Sequence, residues 1–176
     1  RVSNPTDAVN TIYTYDLRGR QSQVTKTLGF FGSTTRYGYD SLDRVTTMTY
    51  PNAEVVGYAY NGQGLLDSIN HTTGTYASFD YNAIGQVTSK TAGNGKVTTY
   101  DYYPDSQRLR NLATPGVQNL TYSYDSAGNI GGIASTVQAV ANQTFGYDAL
   151  HRLTSASSPT VGTTVPGYSH TYTYDA

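Results

Sequence analysis

Tyr37-Gly38-Tyr39-Asp40-Ser41-Leu42-Asp43-Arg44-Val45 decides how this chain is read, because relatives of that stretch return along the 176 residues. Tyr13-Thr14-Tyr15-Asp16 leads to Gly19-Arg20, Tyr58-Ala59-Tyr60-Asn61 to Gly64, and Phe79-Asp80-Tyr81-Asn82 to Gly85. Tyr100-Asp101-Tyr102-Tyr103 runs to Arg108, Tyr122-Ser123-Tyr124-Asp125 to Gly128, and Phe145-Gly146-Tyr147-Asp148 to His151-Arg152. An eighth copy opens at Tyr172-Thr173-Tyr174-Asp175. The second aromatic of each copy stands at 15, 39, 60, 81, 102, 124, 147 and 174, so the period is 21 to 24 residues with one final gap of 27. Self-similarity at such a period signals a repeat architecture.

Each copy reads as one β-hairpin. Residues two apart in a strand share a face, so an aromatic-x-aromatic run sets two rings side by side. The Asp or Asn that follows suits the first position of a type I turn, where its side chain accepts a nearby backbone N–H. Three residues later stands Gly19, Gly64, Gly85 or Gly128, suited to the positive φ that returns the chain into a second strand. Asp43 and His151 occupy the same place in two other copies, and both types are enriched at positive φ. β-Branched residues such as Val45-Thr46-Thr47 then favour the return strand. A second turn follows in each unit, marked by Tyr50-Pro51-Asn52, Thr73-Gly74, Gly93-Asn94-Gly95, Thr114-Pro115-Gly116 and Pro166-Gly167.

The pattern resembles the YD-repeat or Rhs (rearrangement hotspot) family, whose unit is written roughly Tyr-x-Tyr-Asp-x-x-Gly-Arg-Leu. Residues 37 to 45, 122 to 130 and 145 to 153 match it best, and eight registers cover nearly the whole chain. Residues 100 to 109 depart most, with Tyr103 in place of Asp and one extra residue before Arg108, so a regular hairpin is not assured there. The resemblance implies sheets that spiral into hollow shells. In bacterial Rhs proteins and insecticidal toxin complex C components such a shell encloses a toxic C-terminal region, and in teneurins a related barrel serves adhesion. It also implies a secreted or cell-surface location. The family's self-cleavage motif, with its Asp-Pro pair, has no counterpart in these residues.

Composition narrows the function classes. With 18 Tyr, 18 Gly, 4 Phe and no Trp, tyrosine supplies much of the apolar area, and each covered ring needs a partner for its hydroxyl. A net charge of −1 with 13% charged residues offers no basic cluster for a phosphate backbone, which makes nucleic acid a poor partner. No run reaches the apolar length of a membrane-spanning helix. The absence of cysteine removes disulfides and thiolate metal sites.

The remaining polar residues show no pattern of a reaction centre. His151 reads as a turn residue, and His71 and His170 as exposed histidines without metal-ligand spacing. The motif acids Asp16, Asp40, Asp125, Asp148 and Asp175 are accounted for by turns, and Glu54, the only glutamate, has no privileged carboxylate partner. Asn61-Gly62-Gln63-Gly64 and Gly93-Asn94-Gly95 precede no helix pattern, which argues against phosphate loops. No catalytic residue, metal or cofactor is therefore assigned.

The motif residues Tyr13, Tyr15, Asp16, Gly19, Arg20, Tyr37, Tyr39, Asp40, Arg44, Tyr58, Tyr60, Gly64, Phe79, Tyr81, Gly85, Tyr100, Tyr102, Arg108, Tyr122, Tyr124, Asp125, Gly128, Phe145, Tyr147, Asp148, Arg152, Tyr172, Tyr174 and Asp175 are expected to build the repeat. Rings from successive copies are expected to stack as a spine, against the alternative that a row such as Tyr13, Tyr37 and Tyr58 forms a glycan-binding face. Arg20, Arg44, Arg108 and Arg152 are expected over neighbouring tyrosines or paired with motif aspartates.

The fold expected is all-β, with antiparallel hairpins laid side by side over residues 1–176 into one twisted, coiling sheet, without domain boundary and part of a longer array. Residues 1–12 are expected to supply the first paired strand, 131–142 a strand rather than a short helix, and 155–167 a long loop. Apolar residues three apart after each turn, Val45 and Met48, Leu66 and Ile69, Leu109 and Leu112, Ile130 and Ile133, break strict alternation and predict a β-bulge in the return strand. About two strands per copy make roughly sixteen, a ribbon of about 75 Å at ~4.8 Å spacing, too short for one turn to enclose a folded protein. The functional expectation is a non-catalytic wall segment of a toxin-enclosing shell. Its alternative is an extracellular fibre or adhesin of stacked repeats. The partners expected are neighbouring repeats of the same or another chain, a toxin cargo and a glycan.

Overall fold

A computed structural model describes residues 9–137, 142–160 and 166–175. All regular elements among them are strands, fifteen in number, and their order in the sheet is the chain order. Two compact units are distinguished, Arg1–Phe79 with Ala92–Asn94, and Asp80–Thr91 with Gly95–Ala176. The first contains β1 (Val9–Tyr15), β2 (Gln21–Leu28), β3 (Phe31–Tyr39), β4 (Val45–Thr49), β5 (Val55–Tyr60), β6 (Leu66–His71) and most of β7 (Gly74–Tyr81). The second contains most of β8 (Val87–Ala92), then β9 (Val97–Tyr102), β10 (Leu109–Thr114), β11 (Gln118–Tyr124), β12 (Ile130–Ser135), β13 (Gln143–Tyr147), β14 (Leu153–Ser158) and β15 (Tyr168–Thr171).

The motif copies share one turn, with the copy at Tyr103 as the exception. In the first unit Asp16 N bonds Arg20 O at 2.8 Å and Gly19 N bonds Asp16 O at 3.0 Å, closing a type I turn followed by a left-handed residue. That residue has φ +79° at Gly19, +81° at Gly64, +84° at Gly85 and +94° at Gly128. Asp43 takes φ +64° and His151 +60° at the same place, as their residue types lead one to expect. The irregular copy is one residue longer: Gln107 N bonds Tyr103 O, and Gln107 carries the positive φ of +58°.

The predicted bulge is present in each of these return strands. Tyr39 faces Val45 but Gly38 faces Thr47, leaving Thr46 extra. Tyr60 faces Leu66 and Tyr58 faces Ile69; Tyr124 faces Ile130 and Tyr122 faces Ile133. The same shift occurs after Tyr15, Tyr102 and Tyr147. Directly opposed residues of an antiparallel pair lie on one face, so the bulge carries both apolar residues of the return strand onto the face of the two rings.

The two faces consequently differ in chemistry. One holds the motif aromatics with Val24, Val45, Met48, Leu66, Ile69 and their equivalents. The other holds the residue between the rings and its partner: Thr14 with Gln23, Gly38 with Thr47, Ala59 with Ser68, Asp101 with Asn111, Ser123 with Gly132, Gly146 with Ser155. Val56, Ala77, Thr114 and Ala156 are the buried residues among those described, and the register puts all four on the aromatic face. The core is a one-sided layer, and stability must come from neighbour-to-neighbour contacts along the sheet.

One expectation is corrected. Strand β14 extends to Ser158, so the weakly patterned stretch begins later than residue 155, with Ser155–Ser158 paired to Thr171–Tyr168. The expected first paired strand is described from Val9, as β1 paired with β2; residues 1–8, 138–141 and 161–165 lie outside the described residues.

Candidate functional site

The feature repeated most faithfully is a clasp between one turn and the next, and it starts from the motif carboxylate or amide. Oδ1 of Asp40 accepts from Leu42 N and Arg44 N, both at 2.9 Å. Asp16, Asp125 and Asp148 repeat this, and Asn61 and Asn82 do the same with an amide oxygen. The second carboxylate oxygen binds the arginine: Arg20 Nε to Asp16, Arg44 Nε to Asp40 and Arg152 Nε to Asp148, each at 2.7 Å. The backbone N–H of Arg44, then its guanidinium, holds the Asp40 carboxyl below the ordinary range against the opposing effect of burial. Asp148 is lowered by the same groups of Arg152, and Asp125 by the Asn129 amide followed by backbone N–H groups.

Each arginine so fixed, and Arg108 of the irregular copy, lies over the second aromatic of the following copy. Arg20 stands 4.7 Å from the Tyr39 ring centroid, Arg44 4.3 Å from Tyr60, Arg108 5.5 Å from Tyr124 and Arg152 4.5 Å from Tyr174. The hydroxyl of that ring donates to the carbonyl of the residue after the arginine: Tyr39 to Gln21 at 2.7 Å, Tyr60 to Val45 at 2.8 Å, Tyr124 to Leu109 at 2.9 Å, Tyr174 to Leu153 at 2.8 Å. Tyr102 donates to Val87 and Tyr147 to Ile130 in copies whose arginine is replaced by Gln86 and Asn129. Those replacements still reach forward to the left-handed residue of the next turn, Gln86 to the Gln107 carbonyl at 2.8 Å and Asn129 to His151 Nδ1 at 3.1 Å. Arg20 does likewise to Asp43 at 2.7 Å. Where the next turn has glycine, the guanidinium packs against it: a Cβ on Gly64 would lie 3.3 Å from Arg44 Nη1, and one on Gly128 would overlap Arg108.

The first aromatic of each copy has a different task. Tyr13 faces Val24, Tyr37 faces Met48, Tyr58 faces Ile69, Tyr100 faces Leu112, Tyr122 faces Ile133 and Phe145 faces Ala156. Phe79 and Tyr81 close β7, Tyr172 N bonds Thr154 O at 2.9 Å, and Asp175 lies beyond β15. The expected spine of ring upon ring is replaced by arginine upon ring. Equivalent tyrosines are two strands apart, about 9.6 Å at the usual spacing, beyond the ~7 Å reach of ring pairs. A direct ring contact between successive copies is that of Tyr103 with Tyr124, edge-on at 6.1 Å, and Tyr103 also donates to Tyr122 O at 3.0 Å. The irregular copy thus substitutes an aromatic contact for the missing Asp–Arg pair.

His170 is exposed on β15 and stacks on Tyr168 at 5.3 Å. His71, expected to be an exposed and unengaged histidine, is instead half-buried with Glu54 3.5 Å away. The two meet because the β4–β5 and β6–β7 turns are neighbours, a proximity that 17 residues of separation conceal. No group of three or more His, Cys, Asp or Glu positioned to hold a metal occurs among the described residues, and no described helix is long and apolar enough to cross a membrane.

Comparison with solved structures gives the same sheet. The chain superposes on the crystal structure of TcdB2-TccC3 without its hypervariable C-terminal region with a TM-score of 0.77 at 23% identity, covering 92% of this chain and 10% of that one. A Photorhabdus luminescens Tc holotoxin pore carrying a TccC3 mutation gives 0.76 at 23%, covering 96% and 11%. A further TcdB2-TccC3 crystal structure gives 0.74 at 22%, covering 92% and 11%. The chain therefore spans about a tenth of the length of these proteins. A search of curated proteins gives no match. The profile of the family described as teneurin YD-shell matches residues 3–133, and with that match over most of its length this chain belongs to the teneurin YD-shell family.

Proposed function

We propose that this chain is a single YD-repeat array forming part of the wall of a larger secreted shell that encloses a toxic polypeptide for delivery, and that it performs no catalysis itself. The observation carrying this reading is the clasp: the hydroxyl of the second motif tyrosine, wherever its bond is described, engages main chain of the preceding copy, so the array extends by repetition. Main-chain recognition is indifferent to the neighbour's side chain, which suits a wall tolerant of sequence drift. The motif residues act here as fasteners, with a toxin cargo and further repeats as partners. Shell-bearing Tc toxin components of the same fold support it, as does the membership of the YD-shell family.

The experiment is electron microscopy and limited proteolysis of the parent polypeptide with its downstream region. Closed particles with internal density, and a downstream region cleaved only after the particle is opened, are expected. Continuous filaments would favour a fibre or adhesin instead, and empty particles with an exposed downstream region would exclude encapsulation.

A further inference from the structure

In a repeat array, a departure from the pattern marks a place where something besides stacking is specified. Between successive hairpins β2 pairs with β3, β4 with β5, β8 with β9, β10 with β11, β12 with β13 and β14 with β15 without register shift. Pairing of β6 with β7 shifts between Ile69 and Asn70 and leaves Tyr76 as the extra residue. Its hydroxyl does not seek main chain as the motif hydroxyls do. It donates to Oε1 of Glu54, the chain's only glutamate, at 2.6 Å.

His71 completes the group. Its Nε2 lies 3.5 Å from the same Glu54 oxygen and its ring centroid 5.4 Å from that of Tyr76. Thr73 N donates to His71 Nδ1 at 3.3 Å and Thr73 Oγ1 lies 2.9 Å from the same nitrogen, contacts that suit Nδ1 as acceptor and the neutral ring's proton on Nε2 facing Glu54. Asn52 Nδ2 approaches the other Glu54 oxygen at 3.4 Å. Hydrogen bonds from Tyr76 and then Asn52 lower the Glu54 pKa, keeping an ionised acceptor at neutral pH.

Beside this group lies a cavity of about 290 Å³ bounded by His71, Thr73, Thr75, Tyr76 and Gly93. Gly93 N bonds Tyr76 O at 2.7 Å, and a Cβ there would lie 2.7 Å from Thr75 O, so this wall must stay free of a side chain. The Tyr76 ring is fixed through its hydroxyl yet 47% exposed.

A fixed, half-open aromatic ring flanked by a carboxylate, an imidazole N–H and threonine hydroxyls has the composition of a polyol site. The carboxylate disfavours anions, and two acid–base side chains are too few to chelate a metal. The C–H face of a sugar ring can lie on Tyr76 while its hydroxyls donate to Glu54 and accept from His71. We propose that Tyr76, Glu54 and His71 form a subsite for one pyranose residue of a neutral glycan. This is independent of whether a cargo is enclosed.

The test is saturation-transfer NMR on the chain with the methyl glycosides of glucose, galactose and N-acetylglucosamine. For a ligand of so few atoms a Kd on the order of 1 mM is expected. Saturable transfer to ring C–H protons of at least one glycoside is expected. It should weaken tenfold or more in Tyr76→Ala, survive in Tyr76→Phe with a severalfold loss, and be unaffected in Phe30→Ala, which removes a fully exposed ring elsewhere. Glu54→Gln should weaken it severalfold and serves as the reading if circular dichroism shows Tyr76→Ala to be misfolded. Absence of saturable transfer from all three glycosides, or transfer that persists in Tyr76→Ala, or an equal loss in Phe30→Ala, overturns the site.

Discussion

A hydroxyl is the one difference between tyrosine and phenylalanine, and it separates the two aromatics of each copy. The first position admits Phe79 and Phe145, whereas Tyr occupies the second in all eight copies, where the hydroxyl bonds main chain of the preceding copy wherever that bond is described. Tyr102→Phe removes the 2.8 Å bond to Val87 O and is expected to cost about 1 kcal/mol in urea unfolding. Tyr100→Phe, at the first position, should change stability by less than about 0.5 kcal/mol. Equal effects at the two positions would show that the hydroxyl carries no inter-repeat load. Much of this was legible, since abundant tyrosine without tryptophan requires hydroxyl partners. The acceptor was not, because the carbonyls of Gln21, Val45 and Leu109 have no side-chain signature. Glu54, His71 and Tyr76 stayed illegible for another reason: they belong to no motif, and only the juxtaposition of two turns brings them together.

Turns and bulges were the most readable elements, because left-handed backbone and strand periodicity leave marks on residue type. Asp43 and His151 stand where other copies use glycine, and Val45 with Met48 betrays the bulge by a spacing of three. Ala53 went unread: it sits at φ +67° in the Tyr50–Glu54 turn, where alanine gives no hint of that conformation. Its strain gives a prediction. Ala53→Gly should raise stability by about 0.5–1 kcal/mol through relief of the left-handed conformation, less the added chain entropy. Gly19→Ala should lower it by about 1 kcal/mol, since φ is +79° and no atom within 4 Å confuses strain with collision. Thermal melts of both variants check the pair, and shifts of the same sign would show that the turn geometry is wrong.

At the scale of the molecule, periodicity and two-facedness govern what can be removed and what pH does. Deleting residues 40–60, one period of 21, joins Tyr39 to Asn61 and restores an aromatic-x-aromatic-Asn turn with both faces in register. That variant should unfold cooperatively with a proportionately smaller m-value. Deleting Gly57 alone throws either Val56 or Tyr58 onto the polar face and should destabilise more than losing the whole period.

The pH profile follows from charges that recur with each clasp. Asp40, Asp125 and Asp148 have folded pKa values below 3.8, so the unfolded chain takes up their protons first as pH falls. Their contribution is present above about pH 3.8 and disappears as pH drops through the folded values. Burial, first, and then neighbouring tyrosines raise Tyr58 and Tyr102 above 10.0, and in Tyr124 the nearby Arg108 only partly offsets these effects. A raised value means stability held below about pH 10 and lost as pH climbs through the folded values. Denaturation midpoints should therefore be level between these limits and fall outside both. Replacing Asp40 and Asp148 by Asn keeps the turn acceptor that Asn61 and Asn82 provide naturally, but removes two titrating groups and their arginine pairs. The double variant should lose stability at neutral pH and show a shallower acid limb with an unchanged alkaline one. An acid limb as steep as that of the parent chain would place the proton uptake elsewhere than in the clasps.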